Sequence, residues 1–170
     1  RWAGFGILLG SLCASLLVRA EGVEARNERG PLVTTLRLGP PEPRLGDPLE
    51  LELEVRAEPG VEVWMPEFGD ALGRFSIVDF VPSESVDDDG SFVGRQRYVL
   101  HPPRSGAQRI PPLMVEFVDR RPGQDPSPEG EDAYSMFTDA LDFEVASVLP
   151  EGASLELRAP KGALLPQAFN

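Results

Sequence analysis

The chain has 170 residues, 41% hydrophobic and 26% charged, which is the usage of a folded globular domain rather than of a disordered chain. Its 16 Lys+Arg against 28 Asp+Glu give a net charge of −12 and exclude the basic footprint that nucleic-acid binding needs. One cysteine excludes an internal disulfide, and one histidine removes most zinc-site and catalytic-triad schemes.

In chain order, Trp2 to Val18 carries no charged side chain and stands behind Arg1, the make-up of a secretory hydrophobic region. Small residues at Ala20 and Ala25 offer cleavage positions. An uncleaved anchor is the competing reading, because the stretch lies at the lower edge of the spanning range. Cys13 follows Leu12, where a lipoprotein acceptor wants a small residue, and reads as incidental. The expectation is an exported chain, periplasmic or otherwise extracytoplasmic, with residues 1–25 as signal peptide or N-terminal membrane anchor. Loss of residues 1–20 removes Arg1 and Arg19 and takes the net charge from −12 to −14.

From Pro31 to Val148 the dominant period is two. Leu32, Thr34, Leu36 and Leu38 alternate with more polar neighbours, and Leu49 to Ala57 does so without exception, apolar at odd positions and charged at even ones. That is the pattern of a half-buried antiparallel strand. Val61, Val63 and Met65 continue the theme, followed by Phe75 to Val81 and Arg95 to Leu100, which are strand-like by β-branched and aromatic content. Leu113, Val115 and Phe117, then Leu141, Phe143 and Val145, complete a set of seven strands. The breaks carry turn chemistry, as in Gly39-Pro40-Pro41, Glu58-Pro59-Gly60, Asp89-Gly90 and Arg104-Ser105-Gly106. Arg120 to Ala133 contains no apolar residue larger than alanine and predicts a mobile solvated loop between the last two strands. The fold class expected is all-β, an antiparallel two-sheet immunoglobulin-like β-sandwich of about seven strands over residues 30–148. Residues 149–170 read as an extended C-terminal tail, with a short strand at Leu155 to Arg158.

Gly46-Asp47-Pro48 opens an alternating strand. Later come Leu72-Gly73 with Phe75, Ile77 and Val78, Arg97-Tyr98-Val99-Leu100, Gly106, Ile110-Pro111-Pro112-Leu113 with Val115 and Phe117, and Leu149-Pro150. In this order the elements resemble the extracytoplasmic β-sandwich repeats of BatD-like proteins from the bacterial aerotolerance operon, over roughly residues 30 to 165. The resemblance implies a signal-bearing envelope protein of immunoglobulin-like modules without assigned chemistry, acting beside von Willebrand A domain membrane proteins and a MoxR-type ATPase. Family members follow their sandwich domains with a Pro-rich linker and a membrane helix. Here the sequence runs to Asn170 with Leu164-Leu165 as its late apolar cluster, so membrane association falls to the N-terminal segment or to a C-terminal helix outside this sequence.

Candidate chemistry is sparse. Asp87-Asp88-Asp89-Gly90 could hold calcium through hard oxygen ligands, yet consecutive carboxylates diverge, and Asp-Gly alone explains a hairpin turn. His101 has Ser91 and Ser105 as sequence candidates for a nucleophile, without a nucleophile-elbow motif. Glu50, Glu52 and Glu54 could suggest glycosidase chemistry, but they share one solvated strand face. No cofactor, metal or catalytic residue is assigned, and the protein reads as non-enzymatic. The feature that points to binding is Val63-Trp64-Met65-Pro66-Glu67-Phe68. With Val61, Val63 and Met65 inward, Trp64 faces outward, and Phe68 follows in a loop with Pro66 and Gly69. An exposed aromatic pair is the make-up of an interface hot spot, against the alternative that Trp64 caps the core at a bulge. The expected function is an interaction module of the bacterial envelope, with Trp64 and Phe68 at the partner contact. The alternative is a carbohydrate- or calcium-dependent ligand-binding domain.

Overall fold

The computed structural model describes residues 22–149. The apolar stretch Trp2–Val18, Cys13, Ala20 and the tail from Pro150, with its expected strand at Leu155, lie outside them. Among the described residues there is no helix, and ten strands follow one another: β1 Val23–Arg29, β2 Leu32–Gly39, β3 Leu49–Ala57, β4 Val61–Trp64, β5 Ser76–Val86, β6 Phe92–His101, β7 Gly106–Ile110, β8 Met114–Asp119, β9 Tyr134–Phe137 and β10 Leu141–Val145. All paired strands run antiparallel, as the alternation predicts. They form a five-stranded sheet in the order β1-β2-β3-β6-β5, a three-stranded sheet β4-β8-β9 and a two-stranded sheet β10-β7.

The seven expected strands thus become ten, and two sheets become three. The additional strands are β1, β7 and β9. The sequence VEARNER buries no side chain fully, so its period is faint, yet it pairs with β2 along its whole length. Strand β7 turns only Gln108 and Ile110 inward, and β9 has only four residues. The long connection from Arg120 therefore joins β8 to β9 rather than the last two strands, and the first strand begins at Val23, ahead of residue 30.

The division into three sheets has a local cause. Ile110 opposes Leu141 in one ladder and Met114 opposes Phe137 in the other. Between them Leu113 donates its amide to Thr138 Oγ1 (3.0 Å) and accepts the Thr138 amide (3.0 Å). One register therefore runs through both ladders, interrupted at Pro111-Pro112, which supply no N–H to a ladder.

One apolar cluster holds inner-face residues of all three sheets. It joins Leu36, Leu51, Leu53 and Leu100 of the five-stranded sheet to Val115, Phe117 and Met136 of the second, and to Ile110, Leu141 and Phe143 of the third. Leu49, Leu51, Leu53 and Val55 are fully buried, so the odd positions of β3 form the core and its even positions the outer face. Each such side chain contributes about 1.5–3 kcal/mol of burial. On the outer face Glu24, Arg37, Glu52 and Arg97 stand opposite one another across β1, β2, β3 and β6, linked at 2.7, 3.5 and 3.3 Å.

Candidate functional site

The segment from Met65 to Phe75 carries the chain from β4 in the three-stranded sheet to β5 at the edge of the five-stranded one. It is held by an inward-facing polar pair. Gln96 of β6 is buried among apolar side chains, and its Nε2 donates to the Pro66 carbonyl at 2.7 Å. The Tyr98 hydroxyl donates to Gln96 Oε1 at 3.2 Å, and burial pushes the Tyr98 pKa up. Leu72 is fully buried and Phe75 nearly so, which fastens the far end of the segment to the core.

Trp64 and Phe68 are both exposed, by 48% and 63%. The structure gives them different neighbours. Phe68 packs on Phe80 of β5 (ring centroids 5.0 Å apart, edge to face) and near Tyr98 (6.4 Å, stacked), while Phe80 and Tyr98 lie 4.7 Å apart. Its outer side faces solvent beside the β5 edge. Trp64, opposite Glu116 in the β4–β8 ladder, instead lines a groove of about 290 Å³ with Met65, Met114, Glu67, Asp70 and Glu116. Three carboxylates around an indole give this groove a negative field with one flat apolar wall. Such a surface suits a cation over the ring face or a sugar ring against it.

The remaining candidates are dispersed. Asp87 to Ser91 forms the β5–β6 hairpin: the Gly90 amide donates to the Asp87 carbonyl, and Gly90 takes φ 86°, the left-handed conformation such a loop requires. Asp89 Oδ1 accepts the Ser91 amide at 2.9 Å, and that bond holds its carboxyl below the usual range. Among the described residues no group of three or more His, Cys, Asp and Glu is placed to hold a metal ion. His101 ends β6 opposite Ser76, whereas Ser91 precedes the first residue of that strand, about 30 Å away at strand rise. Glu50 points to solvent, Glu52 pairs with Arg37 and Arg97, and Glu54 sits between Arg56 and Arg95, both at 2.8 Å. Burial pushes the Glu54 carboxyl up, but its hydrogen bonds to both guanidinium groups outweigh that and hold it below the usual range.

A second cavity of about 250 Å³ lies at the root of the long loop, between Arg29, Asp119, Arg121 and Tyr134. Its polar groups are engaged with one another. Arg121 grips the Asp119 carboxylate through Nε (2.8 Å) and Nη2 (2.7 Å) and reaches Glu58 with Nη1. The Asp119 amide donates to the Pro126 carbonyl at 3.0 Å, so the loop folds back on its own start. The Asp119 side chain is only 7% exposed, and the Arg121 hydrogen bond holds its pKa below the usual range.

Sequence reasoning missed Gln96 and the Asp119–Arg121 clasp. Gln96 had a usable signal: it falls between Arg95 and Arg97 at a position in phase with Tyr98 and Leu100, so alternation turns it inward. An inward amide needs a partner.

No family model matches the chain, and no match is found among curated proteins or solved structures. Among the described residues no helix is long and apolar enough to cross a membrane.

Proposed function

We propose that this chain is an exported, non-enzymatic interaction module of the bacterial envelope, with the Trp64–Phe68 segment at the contact with its partner. The observation that carries this reading is the exposure of two large aromatic side chains, Trp64 at the end of β4 and Phe68 on the connector whose backbone is fastened from below by Gln96. Rigid aromatic area offered at low entropic cost is what hot spots are made of. The shared register of the two smaller ladders supports treating β4-β8-β9 and β7-β10 as one bent layer facing the five-stranded sheet, which is the immunoglobulin-like sandwich expected of a BatD-like module. The family resemblance supplies the partner class, von Willebrand A domain membrane proteins. Export is supported by the apolar stretch behind Arg1. Of the two cleavage positions, Ala20 leaves β1 whole, whereas cleavage after Ala25 would remove the residues paired with Leu36 to Leu38.

Crosslinking in the native envelope followed by affinity recovery tests the reading. The tagged protein is expected to bring von Willebrand A domain membrane proteins with it, and a Trp64→Ala, Phe68→Ala double variant to lose them. Equal recovery by the variant removes the site assignment, and recovery of no envelope protein removes the docking function. A second reading, carbohydrate binding, is favoured by the Trp64 groove alone. Retention on immobilised glycans that Trp64→Ala abolishes while Phe68→Ala leaves it intact would move that reading to the front.

A further inference from the structure

We infer that the outer edge of β5 is a strand-addition site for an extended, basic segment of a partner protein. This rests on the docking reading above and names the chemistry of what docks. Among the described residues, strand β5 is the outermost of the five-stranded sheet and has β6 as its one hydrogen-bonded neighbour. An edge strand presents alternate N–H and C=O groups that a further strand can satisfy. This one is eleven residues long, and every residue from Val81 to Gly90 is exposed. Val78, Val81 and Val86 are each more than half exposed, so apolar surface accompanies the free backbone. Phe68, seated on Phe80, adds an aromatic anchor beside it.

Charge decides the occupant. From Glu67 to Ser91 there are seven carboxylates, Glu67, Asp70, Asp79, Glu84, Asp87, Asp88 and Asp89, against Arg74 as the sole cation. Arg95 and Arg97 on the adjacent strand are paired to Glu54 and Glu52 at 2.8 and 3.3 Å. Pairing with the β5 of a second copy would set these acidic edges against each other, and like charges across a ladder are destabilising. Pro82 removes one donor for any added strand, so it limits the length of the pairing without choosing the occupant. A strand alternating Lys or Arg with β-branched residues meets every one of these conditions: it satisfies the backbone, covers the valines and neutralises the carboxylates.

The probe is a synthetic peptide of about nine residues, long enough to span the ~30 Å of the edge, alternating Lys and Val and blocked at both ends. Binding is followed by titration and by backbone amide exchange on the full chain. Saturable binding is expected, with the β5 amides that point away from β6 slowed about tenfold or more and those of β1 unchanged. Replacing the peptide lysines by Glu, or Glu84→Lys with Asp88→Lys in the protein, weakens binding about tenfold. An added strand uses one set of alternate N–H groups, so of two peptides N-methylated on opposite sets, one loses binding and the other keeps it. Equal binding by both overturns the inference, since charge attraction alone would then suffice. Absence of saturable binding overturns it as well, as does slow exchange, in the free chain, of the β5 amides that point away from β6, because the edge would already be covered. None of these results depends on recovery of an envelope partner, so this inference and the docking function fail separately.

Discussion

The two edges of the five-stranded sheet are built differently. Strand β1 has no fully buried side chain, yet two side-chain hydrogen bonds tie it to the β9 region. Asn27 Oδ1 accepts the Asp139 amide at 2.9 Å, and Arg29 Nη1 donates to the Ser135 carbonyl at 2.7 Å. Both partners lie in or just after β9, so the smaller ladders are latched to this edge. At the opposite edge, β5 is tied to the core near Ile77 and Phe80 and then runs out beyond it, with Val86 69% exposed. A sheet edge needs cover, or charges and prolines that repel a further strand, to avoid indiscriminate pairing. The β1 edge is partly covered through these two bonds, and the β5 edge carries carboxylates and a proline. Cover closes an edge to all partners, whereas charge closes it only to those of the same sign.

The comparison can be broken most directly at the strands between the edges. Leu53→Ala in β3 opens a cavity where the core is fully buried and is expected to cost about 3 kcal/mol in denaturant unfolding. Val86→Ala on β5 should stay within about 0.5 kcal/mol. Similar costs for the two would mean that the distal half of β5 is packed after all. A smaller effect is expected at the latch, where Asn27→Ala removes the acceptor of the Asp139 amide and should cost about 1 kcal/mol. No cost would show that the β1 edge is held by its ladder alone. Thr34, on the inner face of the strand beside β1, buries a hydroxyl with no partner among the described residues. Thr34→Val keeps the shape and removes that penalty, so a gain of about 1 kcal/mol is expected by the same unfolding measurement.

The smallest effect concerns the clasp beneath the β1–β2 turn. Asp119 has its pKa lowered in the folded state, so the unfolded chain binds its proton more readily, and folding gains stability from this carboxylate above its ordinary pKa of 3.8. That gain disappears as pH falls below about 4 and through the folded value. Asp119→Asn should lower Tm at pH 7 and flatten the acid side of the Tm profile. An unchanged acid limb would show that the Arg121 pair is silent in solution.

Much of the fold was legible because burial on one sheet face imposes period two, and β3 obeys it residue by residue. The strands that escaped, β1, β7 and β9, are short or lie at an edge where little is buried, so composition there answers to solvent rather than to the core. For the candidate site, the exposure of aromatics next to Trp64 was readable as a local pattern. Their different neighbours were not, because the path from Pro66 to Phe75 depends on an amide at position 96 and a hydroxyl at position 98, both distant in sequence. Likewise the acidic run at Asp87–Asp89 reads as a turn, and only sheet order places it at the end of an open edge.

By itself, the sequence determined which residues turn inward wherever a strand alternates, as in β3, because alternation of apolar and charged side chains admits one facing. It also determined the sign of the surface, since a surplus of carboxylates cannot be hidden in the core. Which strand lies outermost was decided by the tertiary structure, because strand order depends on the joint packing of three ladders over one apolar cluster. No single segment carries that information.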